Sequence, residues 1–226
     1  MFFFHPLDIV LLLPAIVFTL YAQYKVKSAF AKMSQVRSAS GISGAEVAQK
    51  MLHQNGIYDV EVEETSGHLS DHYDPIQKKL LLSSQVFRSN SLAALGVAAH
   101  ETGHAIQHKN AYFPLQIRQG IFPIARFGSS LAIPLFIAGI LLSIPFLQTV
   151  GIYFFVGAVA FSIITLPVEF NASKRALAQL SSGGYLRTNE IEGARKVLNA
   201  AAMTYVAAAA VAVLQLIRLL LIRGRD

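Results

Sequence analysis

The residues whose types and spacing could do chemistry are His100-Glu101-Thr102-Gly103-His104, an H-E-x-x-H sequence. On a helix, positions i and i+4 share a face, so both imidazoles can reach one metal ion. Glu101 sits beside that pair, where it can take a proton from a metal-activated water rather than ligate. The chain contains no cysteine. This excludes disulfides, a thiol nucleophile and thiolate-held zinc, so Zn2+ must be held by His, Asp or Glu. Because five residues can match such a pattern by chance, the elements around it carry the argument. Ser91 is a helix-start signal, the helical stretch ends at Pro114 at the latest, and an apolar strand, Lys79–Ser83, precedes it.

A catalytic zinc ordinarily has three protein ligands and a water. His108 is one turn beyond His104, but position i+8 lies about 12 Å from i by helical rise alone, too far to share an ion with His100. No Gly-containing turn carries a third histidine to the site in the metzincin manner. Glu169 is the better third ligand. It is an isolated acid just after Pro167 at the end of an apolar block, where a carboxylate is costly without a partner. The plainer reading of Glu169 is an interfacial acid paired with Lys174 or Arg175.

The positioning elements are membrane helices. The 226 residues are 54% hydrophobic and only 14% charged, with mean hydropathy +0.48, against about 25% charged for a soluble domain. No Asp, Glu, Lys or Arg occurs from Phe127 to Val168 or from Val197 to Ile217, and about 20 apolar residues suffice to cross a bilayer. The net charge of +6 does not indicate nucleic-acid binding, because no basic run is interleaved with aromatics. The expected organisation is a first transmembrane helix in 1–24, a cytoplasmic catalytic region in 25–115, a transmembrane hairpin in 116–168 and a third-ligand and cytoplasmic segment in 169–196. A last transmembrane helix and tail occupy 197–226. The hairpin turn is expected near Gln148 and Gly151.

Lys25, Lys27 and Lys32 follow the first block rather than precede it, so it reads as a retained span, not a signal peptide. Eleven Lys/Arg lie between the first block and Arg126, and five in 169–196, which places both segments on the cytoplasmic side. Four spans leave the Arg-bearing tail outside, against the same rule. Within the first polar region, Ser43-Gly-Ala-Glu46 is a capping box opening a helix that ends at Gly56, and Tyr58–Glu63 alternates like a strand.

These residues carry a resemblance. Ser70-Asp-His-Tyr-Asp-Pro75, Lys79-Leu-Leu-Leu-Ser83, Val97–His108 and Pro167-Val-Glu-Phe-Asn-Ala-Ser-Lys-Arg-Ala176 together resemble the YugP-like neutral zinc metallopeptidases of bacterial membranes. More distantly, the chain is similar to the HtpX-type and CAAX prenyl peptidases, membrane gluzincins with an E-x-x-x-D signature on a later helix. The resemblance implies Glu169 as third zinc ligand, with Ser173 standing where those relatives have Asp. Asn171 and Lys174 stand where the closer family more commonly has Asp and Arg.

The segment Asp71-His72-Tyr73-Asp74 leaves alternatives open. His72 or Tyr73 could donate a hydrogen bond to the oxyanion formed during hydrolysis, and Asp71 or Asp74 could orient a ligating imidazole. It could equally be a turn, since Asp-Pro is a strong turn dipeptide. Leu80, Leu81 and Leu82 are expected to bind an extended substrate through strand addition at a sheet edge.

The expected fold is a mainly α membrane protein, with about four transmembrane helices and a small α+β zincin-like catalytic part. The expected function is that of a zinc-dependent endopeptidase of the bacterial cytoplasmic membrane facing the cytoplasm. Its catalytic residues are Glu101 and His72, and its metal ligands His100, His104 and Glu169. Its partners are the lipid bilayer and a polypeptide substrate, drawn from membrane or misfolded proteins, and an oligomeric or regulatory partner is compatible with the sequence. The alternative is a non-catalytic membrane protein using zinc structurally or for sensing, its site closed by His108 or His72.

Overall fold

The computed structural model describes residues 6–67 and 70–224. In chain order the elements are α1 (Pro6–Ser34), α2 (Gly44–Gln54), β1 (Glu61–Thr65), β2 (His72–Asp74), β3 (Lys79–Ser83), α3 (Ser84–Phe87) and α4 (Leu92–Lys109). They are followed by α5 (Phe113–Leu141), α6 (Pro145–Ser182) and α7 (Thr188–Arg223). The chain is mainly helical, with one small sheet. It divides into two compact units. One comprises residues up to 23, 114–167 and 203 onward; the other comprises 24–113 and 168–202.

Among the described residues, three helices are long and apolar enough to cross a membrane: α5, α6 and α7. Their outward surfaces are apolar, with Phe127, Leu131, Tyr153, Phe154 and Ile163 exposed, as a lipid-facing surface requires. The first apolar block lies on α1, which runs unbroken through Pro14. The connection between α5 and α6 differs from the expected turn. It falls at 142–144, with Ser143 at φ +54°. Pro145 begins α6, a position where proline's missing N–H costs nothing. Gln148 and Gly151 are therefore helical. Gly151 serves a close approach instead of a turn, because a Cβ there would lie 2.6 Å from the carbonyl oxygen of Ala132.

The second unit carries the motif. Ser43 caps α2 through the expected capping box with Glu46, and these hydrogen bonds hold the Glu46 carboxyl below its ordinary pKa. Ser91 caps α4 by accepting from the Ala94 N–H at 3.2 Å. The sheet order is β1-β3-β2, with β1 parallel and β2 antiparallel to β3. A core of Leu52, Leu80, Leu82, Val86, Ala98, Ala105 and Ile106 lies between this sheet and the helices. A second core, including Met51, Leu95, Leu180 and Val197, joins α2 and α4 to the 168–202 part of α6 and α7.

This order corrects the expectation for β3. Both of its edges are already paired, so it offers none to a substrate. Leu80 and Leu82 are fully buried in the core and Leu81 is half-buried. An apolar strand in the middle of a sheet is a core strand, and hydrophobicity alone does not separate it from a substrate-binding edge. The outer strands are β1 and β2. The strand in 72–74 was masked in sequence by its turn residues. Asp74 does make the expected turn, accepting from the N–H groups of Ile76 and Gln77.

Leu82→Ala should therefore lower unfolding stability by about 2–5 kcal/mol, the cost of a large-to-small change in a core. Thermal unfolding in detergent checks this. A selective rise in KM with unchanged stability would be the signature of a substrate contact.

Candidate metal centre

His100 and His104 lie on one face of α4, and Glu169 approaches them from α6. The Glu169 Oε2 is 3.2 Å from the Nε2 of His100 and 3.6 Å from the Nε2 of His104. One ligand atom from each of the three residues lies within 4.8 Å of the others. The two rings meet edge to face, their centroids 4.8 Å apart. Glu169 is buried, at 2% exposure.

Glycine at position 103 permits this approach. A Cβ there would lie 2.7 Å from the Ala172 carbonyl oxygen and 3.2 Å from its Cα. Any side chain would push the two backbones apart one residue from His104. Gly103 thus has a positioning role for the ligands.

Each histidine is held through its other ring nitrogen. Gln107, fully buried, directs its amide Nε2 at the Val168 carbonyl oxygen at 2.8 Å and at the Asn171 Oδ1 at 3.0 Å. A carbonyl only accepts, so the amide orientation is determined and the Gln107 Oε1 faces the His104 Nδ1 at 3.0 Å. The Nδ1 therefore carries a proton. His104 keeps the lone pair of Nε2 for a cation. His100 Nδ1 lies 3.1 Å from the Ser173 hydroxyl. Ser173, the departure from the E-x-x-x-D pattern, thus still reaches the ligating imidazole.

The donor set fits zinc. An imidazole nitrogen and a carboxylate oxygen facing one another at this range need a cation, either a proton on the ring or a metal ion. Burial of His104 opposes a charge on the ring, yet its hydrogen bond to Glu169 and the charge of Glu101 outweigh burial and hold its pKa above the ordinary value. Two imidazole Nε2 atoms and one carboxylate oxygen form a donor set of the kind zinc, a borderline-soft ion, takes in catalytic sites, and three protein ligands leave a position for water.

Glu101 is buried at 9% exposure, and burial pushes its carboxyl pKa up, against the pull of the two adjacent imidazoles. Glu169 and Asp71 add a smaller upward push, so Asp71 is close enough for its charge to be felt. Asp71 does not hold an imidazole. Its carboxylate accepts from the Ser83 N–H at 2.7 Å and from the Ser83 hydroxyl at 3.0 Å.

His72 is exposed on β2, with its Nδ1 2.8 Å from the Ser70 carbonyl oxygen. The structure does not bring it into the three-residue cluster. Tyr73, half-buried, points its hydroxyl at the His108 Nδ1 at 2.8 Å. Burial, followed by the charges of Asp59 and Asp74, raises its pKa to about 12, which keeps it a hydrogen-bond donor at neutral pH. His108 is thus a partner of β2 and stands apart from the metal cluster. Gln107 was missed in the sequence. The available signal was a polar residue three positions after a ligand, on a helix otherwise built of small and apolar residues.

The chain is thus mainly helical, with helices long and apolar enough to cross a membrane and a His/His/Glu cluster able to hold a metal ion. Residues 8–224 match the family model described as "Putative neutral zinc metallopeptidase". The chain belongs to this neutral zinc metallopeptidase family. It is 48% identical over 222 residues to "Putative membrane protease YugP" of Bacillus subtilis (strain 168), covering 97% of this chain and 99% of that protein. No solved structure matches the chain.

Two substitutions test the geometry through metal content alone. Gly103→Leu should abolish zinc retention by separating α4 from α6. Gln107→Leu, which removes the partner of the His104 Nδ1, should weaken zinc affinity about 10–100-fold. Both are read by competition with a chelator of known affinity.

Proposed function

We propose that this protein is a zinc-dependent endopeptidase of a bacterial cytoplasmic membrane, cutting membrane or misfolded polypeptides at a site facing the cytoplasm. The observation that carries the reading is the convergence of His100, His104 and Glu169 with the acid Glu101 beside them. Family membership and the relative's printed name, a membrane protease, support it.

Zinc held by these three residues would activate a water and polarise the scissile carbonyl. Glu101 would receive the water's proton and deliver it to the leaving amine, and burial, which shifts its carboxyl upward, favours its holding that proton between the two transfers. Ser173 and Gln107 fix the two imidazoles, so the ligands need not reorganise during the reaction.

The substrate is an extended polypeptide that pairs with β2, an outer strand of the sheet. Asp71, just before β2, is sensed by Glu101, and Tyr73 bonds to His108 further along α4, so β2 runs beside the helix that carries the ligands. In this arrangement an exposed His72 donates to the developing oxyanion once substrate is bound. In the membrane reading α1 supplies a fourth span, and the basic segments before Arg126 and in 169–196 face the cytoplasm.

The test is elemental analysis of the purified wild type beside two ligand variants. About one zinc per chain is expected in the wild type, with loss in both His104→Ala and Glu169→Ala. Glu101→Gln should keep the zinc and lose cleavage of an unfolded polypeptide by several orders of magnitude. Retained cleavage in that variant would sink the mechanism. Failure of a hydroxamate to bind the zinc-loaded protein would instead identify a closed, structural site.

A further inference from the structure

A second site lies on the far side of α6 from α4, within the unit formed by 24–113 and 168–202. A cleft of about 440 Å³ opens between α6 and α7, lined by Phe170, Ser173, Lys174 and Leu177 of α6 and by Arg195 and Asn199 of α7, among others. Its character is amphipathic. Lys174, Arg195 and Asn199 are exposed polar side chains, whereas Phe170 and Leu177 supply apolar walls. The Nε of Arg195 is engaged by Glu192 at 3.3 Å, and that pair is exposed, so it binds weakly and its acid is easily exchanged for another anion.

The cleft's height along the two helices identifies what fills it. Lys174 follows the charge-free block ending at Val168 by six residues, about 9 Å of helix. Arg195 precedes the charge-free block starting at Val197 by two residues, about 3 Å. The interfacial layer spans about 5–8 Å on each side of the hydrocarbon core, so Arg195 stands within it and Lys174 just beyond its outer edge, from where a long flexible side chain reaches back to headgroup level. The lining offers a phosphate two cations and an amide, and offers an attached acyl chain the apolar surface of Phe170. Ser173 lines this cleft and also bonds the ligating His100, so an occupant would sit directly behind the metal centre.

We infer that the α6–α7 cleft binds the phosphate of an anionic phospholipid headgroup through Lys174, Arg195 and Asn199. The recognised chemistry is a phosphodiester anion beside an apolar wall, which a glycerophospholipid supplies in one molecule. The inference depends on the membrane reading of α6 and α7 and is independent of proteolysis.

The test uses the detergent-purified full-length chain titrated with dioctanoyl phosphatidylglycerol, with bound lipid read by native mass spectrometry. Each of the two cations is expected to contribute about five-fold to affinity, so Lys174→Gln with Arg195→Gln should weaken binding by about twenty-five-fold. Dioctanoyl phosphatidylcholine should bind far less well than phosphatidylglycerol. Unchanged zinc content and thermal unfolding in the double variant keep the comparison on folded protein. A control pair, Arg187→Gln with Lys196→Gln, removes two neighbouring cations that do not line the cleft and should leave binding nearly unchanged.

Equal weakening by the control pair would reduce the effect to diffuse surface charge and overturn the site. Displacement of the lipid by equimolar inorganic phosphate would overturn the lipid as its occupant. Equal binding of the two lipids would overturn the role of charge.

Discussion

A carboxylate buried at the end of a long apolar helix is the constraint on which the rest of the site depends. Glu169 is 2% exposed and follows directly on a stretch with no charged residue. Burying an unpaired carboxylate is expensive enough that the group must find a cation or become neutral. The two imidazoles that face it turn this cost into a binding site, because a metal ion satisfies all three groups at once. The consequences spread outward from there. The helices must approach closely, which needs Gly103 against Ala172. The imidazoles must present Nε2, which needs Gln107 and Ser173 at Nδ1.

Gln107 shows how a buried polar group can act as a positioning device. Its amide spans two helices, holding His104 on α4 and the Val168 carbonyl and Asn171 on α6. Arg175 continues the chain by donating to the Asn171 Oδ1 at 2.7 Å. Asn171, a departure from the commoner family residue, is thus a working member of the network. Such networks are costly if half-satisfied, and in this one each named group finds its partner.

Much of the site was legible because its signals are local. The i, i+4 spacing of His100 and His104, the adjacent Glu101, the Ser43 and Ser91 caps and the strand 79–83 are properties of short windows. In such windows backbone geometry follows directly from residue type. Glu169 was legible for a different reason, since a lone acid at the end of an apolar block is an energetic anomaly wherever the chain goes. The same local reasoning misplaced the α5–α6 turn. Gly151 resembles a turn residue, but in the fold its missing side chain admits the Ala132 backbone.

What the sequence by itself determined is therefore the chemistry: a cysteine-free donor set, a helix that pairs two imidazoles, a third acid and apolar helices around them. What only the tertiary structure decided is which long-range partners complete that chemistry. Strand order is such a decision. It put β3 in the middle of the sheet, made Leu80 and Leu82 core residues and left β2 on the outside. The pairings of Gln107 with His104 and α6, of Ser173 with His100, and of Tyr73 with His108 are others. The reason is the same in each case. Periodicity specifies which face of an element is apolar or polar, whereas the identity of the neighbour across that face depends on the packing of elements far apart in the chain, 69 residues in the case of His100 and Glu169.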